Sequence, residues 1–452
     1  MINGDLTTLS AVQAADAIRD GRLSSEALVS ACWERIEATE REVKAWAWID
    51  PNYALDQARA ADRQRKAGRA TGALHGVPVA LKDIVDTADM PTQRGTPIFK
   101  DRQSGRDARM VERLRDAGAV LMGKTKTTEL AYMHPTDTTN PHNPAHTPGG
   151  SSSGSAAAVA ARHVPLAVGT QTGGSVIRPA SFCGVFGFKP SAGVIPRTGV
   201  FRTSATLDQV GAMAASLEDV ALLTDVLGCF DQDDPASFAR PRPGMLAGAQ
   251  ADAPIEPVLA WFDMPYHDRL DGDARDGIEA VLDVMGAQVE RFDAAPQLAQ
   301  LPDVHKVIYD YEITRNFALI EADYHDSLSD DVLAAFERAK SISDDHYAEA
   351  IEVRASAQVW FAAHFNDFDA IIAPSATGEA PLLSAGHTGD AVYCLPWTLA
   401  GLPCLTIPAL VGQTGLPIGV QLIGGAEEDD RLLRTAAWVQ DRLADAATQS
   451  ED

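Results

Sequence analysis

Residues 147–190 read TPGGSSSGSAAAVAARHVPLAVGTQTGGSVIRPASFCGVFGFKP. Two Gly-Gly-Ser turns, at 149–151 and 173–175, lie on either side of a small-residue helix pattern and an apolar strand pattern. Glycine allows several backbone N–H groups to converge on one point, and serine supplies a hydroxyl there. A packed core does not favour this composition, so the stretch predicts a functional site carried on helices and strands.

A lysine at the end of an upstream strand pattern adds a candidate base. Lys82 closes the apolar run 77–81. Serine is a poor nucleophile until a base takes its proton, and a buried lysine can be that base because desolvation disfavours its ammonium form. Lys82 with Ser151 and Ser175 therefore predicts a hydrolase that needs no histidine. For this segment taken alone, a lysine that reaches the surface or pairs with Asp83 is the alternative.

The turn that ends at Ser175 is a candidate oxyanion hole. Thr172, Gly173, Gly174 and Ser175 follow one another directly, so their N–H groups can point toward one position. Donors arranged in this way stabilise the negative charge that develops on a carbonyl oxygen under attack. A plain loop is the alternative interpretation of a single Gly-Gly-Ser turn.

Other motifs fit the region 140–190 less well. A phosphate-binding loop at 149–154 would need a Gly-Lys-Ser or Gly-Lys-Thr ending, which is missing. The letters GSSSG match the nucleophile elbow of α/β-hydrolases, but that elbow follows a strand and the prolines in 140–148 exclude one. The same prolines prevent His142 and His146 from aligning on a helix, so no metal site is predicted. Cys183 has no histidine partner in its motif and is expected to be a buried packing residue.

The bulk composition excludes several classes of partner. The 452 residues are 45% hydrophobic and 22% charged, and the net charge is −25. So acidic a chain lacks the basic surface that nucleic acid or an anionic membrane requires. No run approaches the ~20 apolar residues of a transmembrane helix. The five cysteines form no CxxC pair and the first residues show no secretory signal, so a cytoplasmic location is expected.

Hydrophobic periodicity predicts an α/β protein. The first seventy residues read as packing helices, at 10–20 and 25–39. From residue 74 onward, short apolar strand runs alternate with helices, which favours helical layers around a buried sheet. The predicted strands are 77–84, 120–122, 165–168, 184–188, 257–261, 370–373, 404–407 and 419–423, and the further predicted helices are 107–117, 156–162, 216–227, 270–285 and 429–443.

Taken together, these segments resemble the amidase signature family. The stretch 147–190 is the family's defining block, and the segments 76–83, 123–131 and 401–424 match the family too. The resemblance implies one α/β/α sandwich around a mixed, mostly parallel sheet, in a single domain 1–452. Its parts would be packing helices at 1–70, a signature core at 71–215, a variable helical substrate-side region at 216–365, and core strands with a helix at 366–452.

The resemblance also implies residue roles. Ser175 would be the nucleophile, Ser151 the bridging serine and Lys82 the base, with the N–H groups of residues 172–175 as the oxyanion hole. In such enzymes the bridging serine follows a cis peptide bond, which predicts a cis bond between Gly150 and Ser151. No cofactor and no metal ion are implied.

Four positions depart from the family's usual pattern. Gln171 stands where aspartate is common, and Lys126 and Thr398 stand where asparagine is frequent. Arg178 lies one residue later than the usual arginine, so no role is carried over to it. None of the four belongs to the triad, but they weaken the likeness to the glutamine-hydrolysing component of the tRNA-dependent amidotransferase.

The leading prediction is hydrolysis of a carboxylic acid amide through a serine acyl-enzyme, with release of an amine or ammonia. The alternative is the glutamine-hydrolysing A subunit of a tRNA-dependent amidotransferase, and a non-catalytic binding protein on the same scaffold is a third hypothesis. The expected partner is a small-molecule amide, and the sequence leaves a homodimer open. The candidate substrate-binding residues are Phe99, Tyr132, Met133, Tyr311, Phe317 and Trp397.

Overall fold

An eleven-stranded sheet runs through the protein, as seen in a computed structural model that describes residues 4–293 and 296–450. The strands are β1 (Trp46–Ile49), β2 (Pro78–Lys82), β3 (Val120–Thr125), β4 (Leu166–Gln171), β5 (Phe186–Lys189), β6 (Gln209–Ala214), β7 (Leu259–Asp263), β8 (Val289–Asp293), β9 (Ala370–Pro374), β10 (Cys404–Val411) and β11 (Pro417–Ile423). Their order across the sheet is β1-β3-β2-β4-β6-β5-β10-β11-β9-β7-β8.

The sheet is mixed, as predicted, but it is not mostly parallel. Of the ten pairings between neighbouring strands in the described residues, four are parallel and six are antiparallel. Apolar runs favour parallel strands because such strands are buried on both faces. In this sheet the antiparallel neighbours β4, β6 and β5 are fully buried as well. An apolar run therefore does not reveal the direction of a strand.

Two groups of helices flank the sheet. The helices are α1 (Ala11–Arg19), α2 (Ser25–Val43), α3 (Pro51–Lys66), α4 (Arg109–Asp116), α5 (Ser153–Ala160), α6 (Ile177–Cys183), α7 (Leu217–Leu227), α8 (Met245–Ala249), α9 (Gly272–Met285), α10 (Pro296–Ala299), α11 (Leu301–Asn316), α12 (Ala318–Tyr324), α13 (Asp330–Ala339), α14 (Asp344–His364), α15 (Leu395–Ala400) and α16 (Asp429–Ser450). In one group α5 packs on α6, and in the other α7 packs on α16; both pairs also contact the central strands. The α/β fold with helices around a mixed sheet is confirmed.

Polar side chains at the helix starts explain where several helices begin. Ser10 accepts a hydrogen bond from the N–H of Gln13, whose side chain bonds back to the N–H of Ser10. Ser24 and Ser216 accept in the same way at the starts of α2 and α7. These bonds satisfy N–H groups that have no partner within the helix.

Helix α5 approaches the sheet closely because its residues are small. A Cβ atom on Gly154 would overlap the carbonyl oxygen of Ala45, so a side chain at that position would force the backbone to shift. The helix contacts β2 and β4, which run parallel to each other. Its approach brings the turn at 149–152 to the ends of these strands, where Lys82 and Thr170 lie.

Some elements differ from the sequence prediction. The region 1–70 contains strand β1 as well as helices, because Trp46 and Trp48 belong to an edge strand that pairs with β3. Several further elements were not predicted: strands β6 and β8 and helices α3, α6, α8 and α15. The other predicted elements are present with shifted bounds. No helix within the described residues has the length and apolarity needed to cross a membrane.

Candidate active site

Lys82, the last residue of β2, has a completely buried side chain. Its Nζ donates hydrogen bonds to Ser151 Oγ and Thr170 Oγ1, both at 2.8 Å. Burial lowers the pKa of Lys82 to about 7, and the nearby charge of Asp208 partly opposes that shift. Asp83, the alternative partner, instead accepts a hydrogen bond from the backbone of Gln93. Lys82 can therefore be uncharged near neutral pH, as a general base must be.

Ser151 lies in the turn that leads into α5. The peptide bond between Gly150 and Ser151 is cis, which confirms the prediction. The hydroxyl of Ser153 donates to the Gly149 carbonyl at 2.7 Å, and the Thr128 N–H donates to the Ser151 carbonyl at 3.2 Å. These bonds hold the turn on both sides of Ser151, so its hydroxyl is kept in contact with Lys82.

Ser175 lies in the second turn, between the end of β4 and the start of α6. It is 9% exposed, against 2% for Ser151 and 0% for Lys82, so it is the most accessible of the three. The guanidinium of Arg178 ties the two turns together, because its Nη2 donates to the Gly150 carbonyl at 2.7 Å. Arg178, to which the sequence assigned no role, thus connects the helix that follows Ser175 to the turn that carries Ser151.

Gln171 and Thr398, two of the departures from the family pattern, form one buried network. Gln171 Oε1 accepts from the N–H groups of Val176 and Ile177 at 2.8 and 3.0 Å, and its Nε2 donates to Thr398 Oγ1 at 2.9 Å. The Thr398 hydroxyl in turn donates to the Gly173 carbonyl at 2.7 Å. An aspartate could accept the first two bonds but could not donate to Thr398. Glutamine and threonine therefore complement each other here.

Helix α11 holds the same turn from the other side. His305 Nε2 lies 2.7 Å from the Thr172 carbonyl oxygen, and because a carbonyl only accepts, this nitrogen carries the proton. Burial lowers the pKa of His305 to about 4, so the ring is neutral. Tyr309, one turn further along α11, is hydrogen-bonded to the hydroxyls of Thr172 and Thr203. Burial raises the pKa of its phenol. Neither residue was predicted as part of the site, although their spacing of four residues places them on one helix face.

Asp208 faces the same turn and accepts four hydrogen bonds. Two come from the hydroxyls of Thr172 and Thr203, at 2.6 and 2.7 Å, and two from the N–H groups of Thr203 and Ser204. Burial raises the pKa of this carboxyl, and these bonds oppose the rise. The carboxylate holds the loop 203–208 against Thr172.

A narrow cavity that is open to solvent adjoins this region, with about 330 Å³ of empty space including its solvent-filled part. Thr170 and Thr172 line it, so it reaches both the Lys82 contact and the turn that precedes Ser175. The other lining residues are Ile84, Ala131, Arg197, Val200, Phe201, Arg202, Thr203, Asp208, Gln209 and Val210. The cavity is a candidate for the place where substrate binds.

Four of the substrate-binding candidates from the sequence are Tyr132, Met133, Tyr311 and Trp397, and their surroundings differ. Tyr132 follows the lining residue Ala131 and packs edge-on against Tyr309, with ring centres 5.4 Å apart. Met133 is 40% exposed. Tyr311 stacks on a tyrosine of α14 and donates a hydrogen bond to Asp344. Trp397 is buried in the hydrophobic core against α14. None of these four lines the cavity.

The sequence also singled out His142, His146 and Cys183, and these side chains contact the surrounding fold. His142 Nε2 and His146 Nδ1 contact the carbonyl oxygens of Cys183 and Ala380, at 2.9 and 2.6 Å. Cys183 is completely buried, and burial raises the pKa of its thiol. Within residues 4–293 and 296–450 no group of three or more His, Cys, Asp or Glu side chains could hold a metal ion.

Comparison with known protein families identifies the family to which the chain belongs. Residues 27–433 match the Amidase family. The chain belongs to that family. This amidase is accordingly an enzyme that hydrolyses amide bonds, and the resemblance noted in the sequence is confirmed over most of the chain.

Relatives of this amidase include a peptide amidase and a subunit of an amidotransferase. The chain is 32% identical to the A subunit of the glutamyl-tRNA(Gln) amidotransferase of Agathobacter rectalis, over 96% of this chain and 93% of the relative. It superposes with a TM-score of 0.81 on the peptide amidase of Stenotrophomonas maltophilia, at 28% identity over 97% of each chain. It also superposes, with a TM-score of 0.89 and 28% identity, on a vestigial protein complex described as revealing the evolutionary origins of an s-triazine catabolic enzyme, over 96% of this chain and 98% of that one.

Proposed function

We propose that this amidase cleaves a carboxylic acid amide through an acyl-enzyme on Ser175, with Ser151 as the bridging hydroxyl and Lys82 as the base. The observation that carries the proposal is the buried 2.8 Å hydrogen bond between Lys82 Nζ and Ser151 Oγ. Because burial lowers the pKa of Lys82 to about 7, the neutral amine exists at neutral pH and can accept a proton.

Acylation begins with proton transfer along two hydroxyls. Ser151 gives its proton to the lone pair of neutral Lys82 and takes the proton of Ser175, whose oxygen attacks the carbonyl carbon of the amide. The new C–O bond turns the carbonyl into a tetrahedral oxyanion. When this intermediate collapses, the C–N bond breaks and Lys82 returns the proton through Ser151 to the leaving nitrogen. The products are an ester on Ser175 and a free amine or ammonia.

The free N–H groups of the turn support its role as an oxyanion hole. Those of Gly173, Gly174 and Ser175 donate to no other residue in the part of the chain that the structure describes. The next two, on Val176 and Ile177, are already bound to Gln171. The turn therefore offers unused donors where the oxyanion forms, and the N–H of Thr172 is proposed to join them.

Deacylation repeats the same steps with water as the nucleophile. Water gives a proton through Ser151 to Lys82 and attacks the ester carbon of the acyl-enzyme. The second tetrahedral oxyanion collapses, the bond to Ser175 breaks, and its oxygen recovers the proton from Lys82 through Ser151. A carboxylic acid leaves and the enzyme returns to its starting state.

Replacement of Ser175 tests this assignment. Ser175→Ala is expected to lower turnover by roughly 10³-fold or more, because the nucleophile is lost while binding remains. A fluorophosphonate should label Ser175 in the unmodified enzyme, and the label is located by peptide mass spectrometry. The matched control is Ser356→Ala, whose hydroxyl bonds only within α14 and whose loss should leave turnover unchanged. Undiminished turnover by Ser175→Ala would remove the nucleophile from the mechanism.

The second candidate function is glutamine hydrolysis within a larger amidotransferase. It is favoured by the relative of Agathobacter rectalis, which bears the amidotransferase name and is 32% identical over 96% of this chain. The two functions separate when the purified chain is given simple amides and glutamine without any partner. Turnover of simple amides supports a stand-alone amidase, whereas a requirement for a partner protein supports the amidotransferase.

A further inference from the structure

The carboxylate of Asp208 is bonded only by neutral groups. Its Oδ1 accepts from the hydroxyls of Thr172 and Thr203, and its Oδ2 accepts from the N–H groups of Thr203 and Ser204. Two bonds at each oxygen favour the ionised form, because a protonated carboxyl uses one oxygen as a donor. Asp208 forms no ion pair with another residue in the described part of the chain. A partly buried charge without a cationic partner is costly to the fold, which points to a role in the site.

Asp208 and Lys82 reach the same cavity from neighbouring positions. Thr170, in β4, accepts a hydrogen bond from Lys82 Nζ at 2.8 Å, and Thr172, two residues later, donates one to Asp208 Oδ1 at 2.6 Å. The strand that begins directly after Asp208, β6, pairs with β4. Thr170, Thr172 and Asp208 all line the narrow cavity. The carboxylate therefore lies near the amine along one cavity wall without being bonded to it.

Among the residues described, Asp208 is the one charged group that acts on Lys82. Both hydrogen-bond partners of the amine, Ser151 and Thr170, are neutral. Asp83, the carboxylate next in sequence, accepts a backbone N–H of another loop instead. Burial lowers the pKa of Lys82, and the charge of Asp208 opposes that shift. The balance between desolvation and this one carboxylate thus sets the proton affinity of the amine.

The arginines near Asp208 do not cancel its charge. Arg197 donates to the backbone carbonyl of Asp208, but its guanidinium pairs with the Asp234 carboxylate through two bonds. Arg202 lines the cavity with an exposed side chain, so solvent screens its charge. The negative charge at the inner end of the cavity is therefore left to act on Lys82.

Helix α11 brings two further titratable groups toward the loop of Asp208, and neither is a cation. Tyr309 is hydrogen-bonded to the hydroxyls of Thr172 and Thr203 and is neutral, because burial raises the pKa of its phenol. Glu312 accepts hydrogen bonds from Ser204 and from the neighbouring Thr206. Both groups hold the loop in place, and they leave the charge of Asp208 uncompensated.

We propose that Asp208 is a positioning residue that stabilises the ammonium form of Lys82, which arises when the amine accepts the proton of Ser151. The proposal rests on the proposed function, because Lys82 must be the base. Asp208 takes no proton and stays ionised throughout the cycle. A carboxylate bonded directly to Lys82 would keep it charged and unable to accept a proton. A carboxylate held at a distance leaves the neutral amine available and favours the ion that forms next.

The test is the pH dependence of kcat/KM on a neutral amide. Asp208→Asn removes the charge and keeps the shape, so Lys82 should lose its proton more readily. We expect the limb near pH 7 to move down by about one unit and the plateau above it to fall by about 10-fold, since one pKa unit is a tenfold change in the stability of the ammonium form. Fluorophosphonate labelling of Ser175, which uses the free enzyme, should show the same displaced limb.

Companion variants separate charge from structure. Asp208→Glu retains the charge, so its limb should stay near pH 7 even where the rate falls. Thr203→Val removes a hydroxyl that donates to Asp208 but removes no charge, so its limb should stay there too. Thermal unfolding checks that each variant folds. If Asp208→Asn does not fold, Asp208→Ser removes the same charge and should show the same displaced limb.

Three outcomes decide against the proposal. A limb that stays near pH 7 without the charge, or an equal displacement in Asp208→Asn and Asp208→Glu, would mean that Asp208 only supports its loop, while hydrolysis by Ser175 and Lys82 stands. A displaced limb with an unchanged plateau overturns it as well, since the ammonium would then not be stabilised during the reaction. If the unmodified enzyme cleaves no amide and Ser175 is not labelled, the proposed function fails and the role of Asp208 fails with it.

Discussion

The proposed chemistry depends on the amine of Lys82. It is completely buried, and its two hydrogen-bond partners, Ser151 and Thr170, are neutral hydroxyls. Neutral partners do not stabilise an ammonium ion as a carboxylate would, so desolvation dominates and lowers the pKa. The same lysine on the protein surface would stay charged at neutral pH and could not take a proton from serine.

The first prediction at this scale concerns pH. Because the base acts in its neutral form, kcat/KM should rise as pH increases through about 7, the pKa of Lys82 in the free enzyme. His305 has a pKa of about 4 and is already neutral there, so it should add no second limb between pH 5 and 9. The measurement is a pH–rate profile on a neutral amide, with buffer and salt held constant.

Substitution of Lys82 completes that test. Lys82→Ala should reduce kcat/KM by roughly 10³-fold and remove the limb near pH 7, because no other group accepts the proton. Lys82→Arg keeps a positive charge but cannot be deprotonated in this range, so it should not rescue activity. A limb near pH 7 that persists in Lys82→Ala would assign the titration to another group.

At the scale of elements, one turn is positioned by two helices distant from it in the sequence. The carbonyls of Thr172 and Gly173 accept hydrogen bonds from His305 on α11 and Thr398 on α15. Each carbonyl shares a peptide group with the N–H of the next residue, so both bonds polarise the donors proposed for the oxyanion hole. The strand–turn–helix segment that carries Ser175 is therefore completed by α11 and α15.

The element-scale prediction uses Thr398. Thr398→Val preserves shape but leaves the Gln171 amide and the Gly173 carbonyl without their partner. We expect kcat to fall by about 10-fold or more while KM changes by less than about 2-fold, because the donors act on the transition state. Thr398→Ser, which keeps the hydroxyl, should retain most of the activity. Thr448→Val, at an exposed position of α16, is the matched control. A rise in KM with unchanged kcat would place Thr398 in substrate binding instead.

At the scale of the molecule, one continuous sheet joins all the segments that supply the site. Across it, strands from the N-terminal region are followed by those of the glycine–serine core, then by those of the C-terminal region, and last by those of the middle region. Lys82 stands on β2, Ser175 after β4, His305 on α11 and Thr398 on α15. A displacement of one segment would separate groups that act together.

The prediction at this scale is a single unfolding transition. A chain whose segments share one sheet should unfold as one unit, so calorimetry should give one peak at Tm with matching calorimetric and van't Hoff enthalpies. Gly154→Ala should lower that Tm by about 2–6 °C without splitting the peak, because the added Cβ overlaps the Ala45 carbonyl. Two separate peaks would contradict the single domain 1–452 that the sequence predicts.

The parts of the site that the sequence predicted are those encoded locally. Ser151, Ser175 and their glycines lie within one short stretch, and Lys82 ends an apolar run, so residue type and neighbours reveal them. His305 and Thr398 lie 133 and 225 residues from the carbonyls they bind, in helices without a motif of their own. Arg178 was visible but had no assigned role, since only the folded chain shows that it contacts Gly150.

The amino-acid sequence by itself determined the α/β class, the candidate residues Lys82, Ser151 and Ser175, and the likeness to the amidase family. Short-range patterns carry these properties, because glycine turns and apolar runs act over a few neighbouring positions. The cis bond before Ser151 was implied by that likeness and not by the local pattern. Only the tertiary structure decided the strand directions, the burial that lowers the pKa of Lys82, and the contacts of His305 and Thr398 with the turn before Ser175. These depend on which distant groups meet, and desolvation and pairing are properties of the surroundings that folding creates.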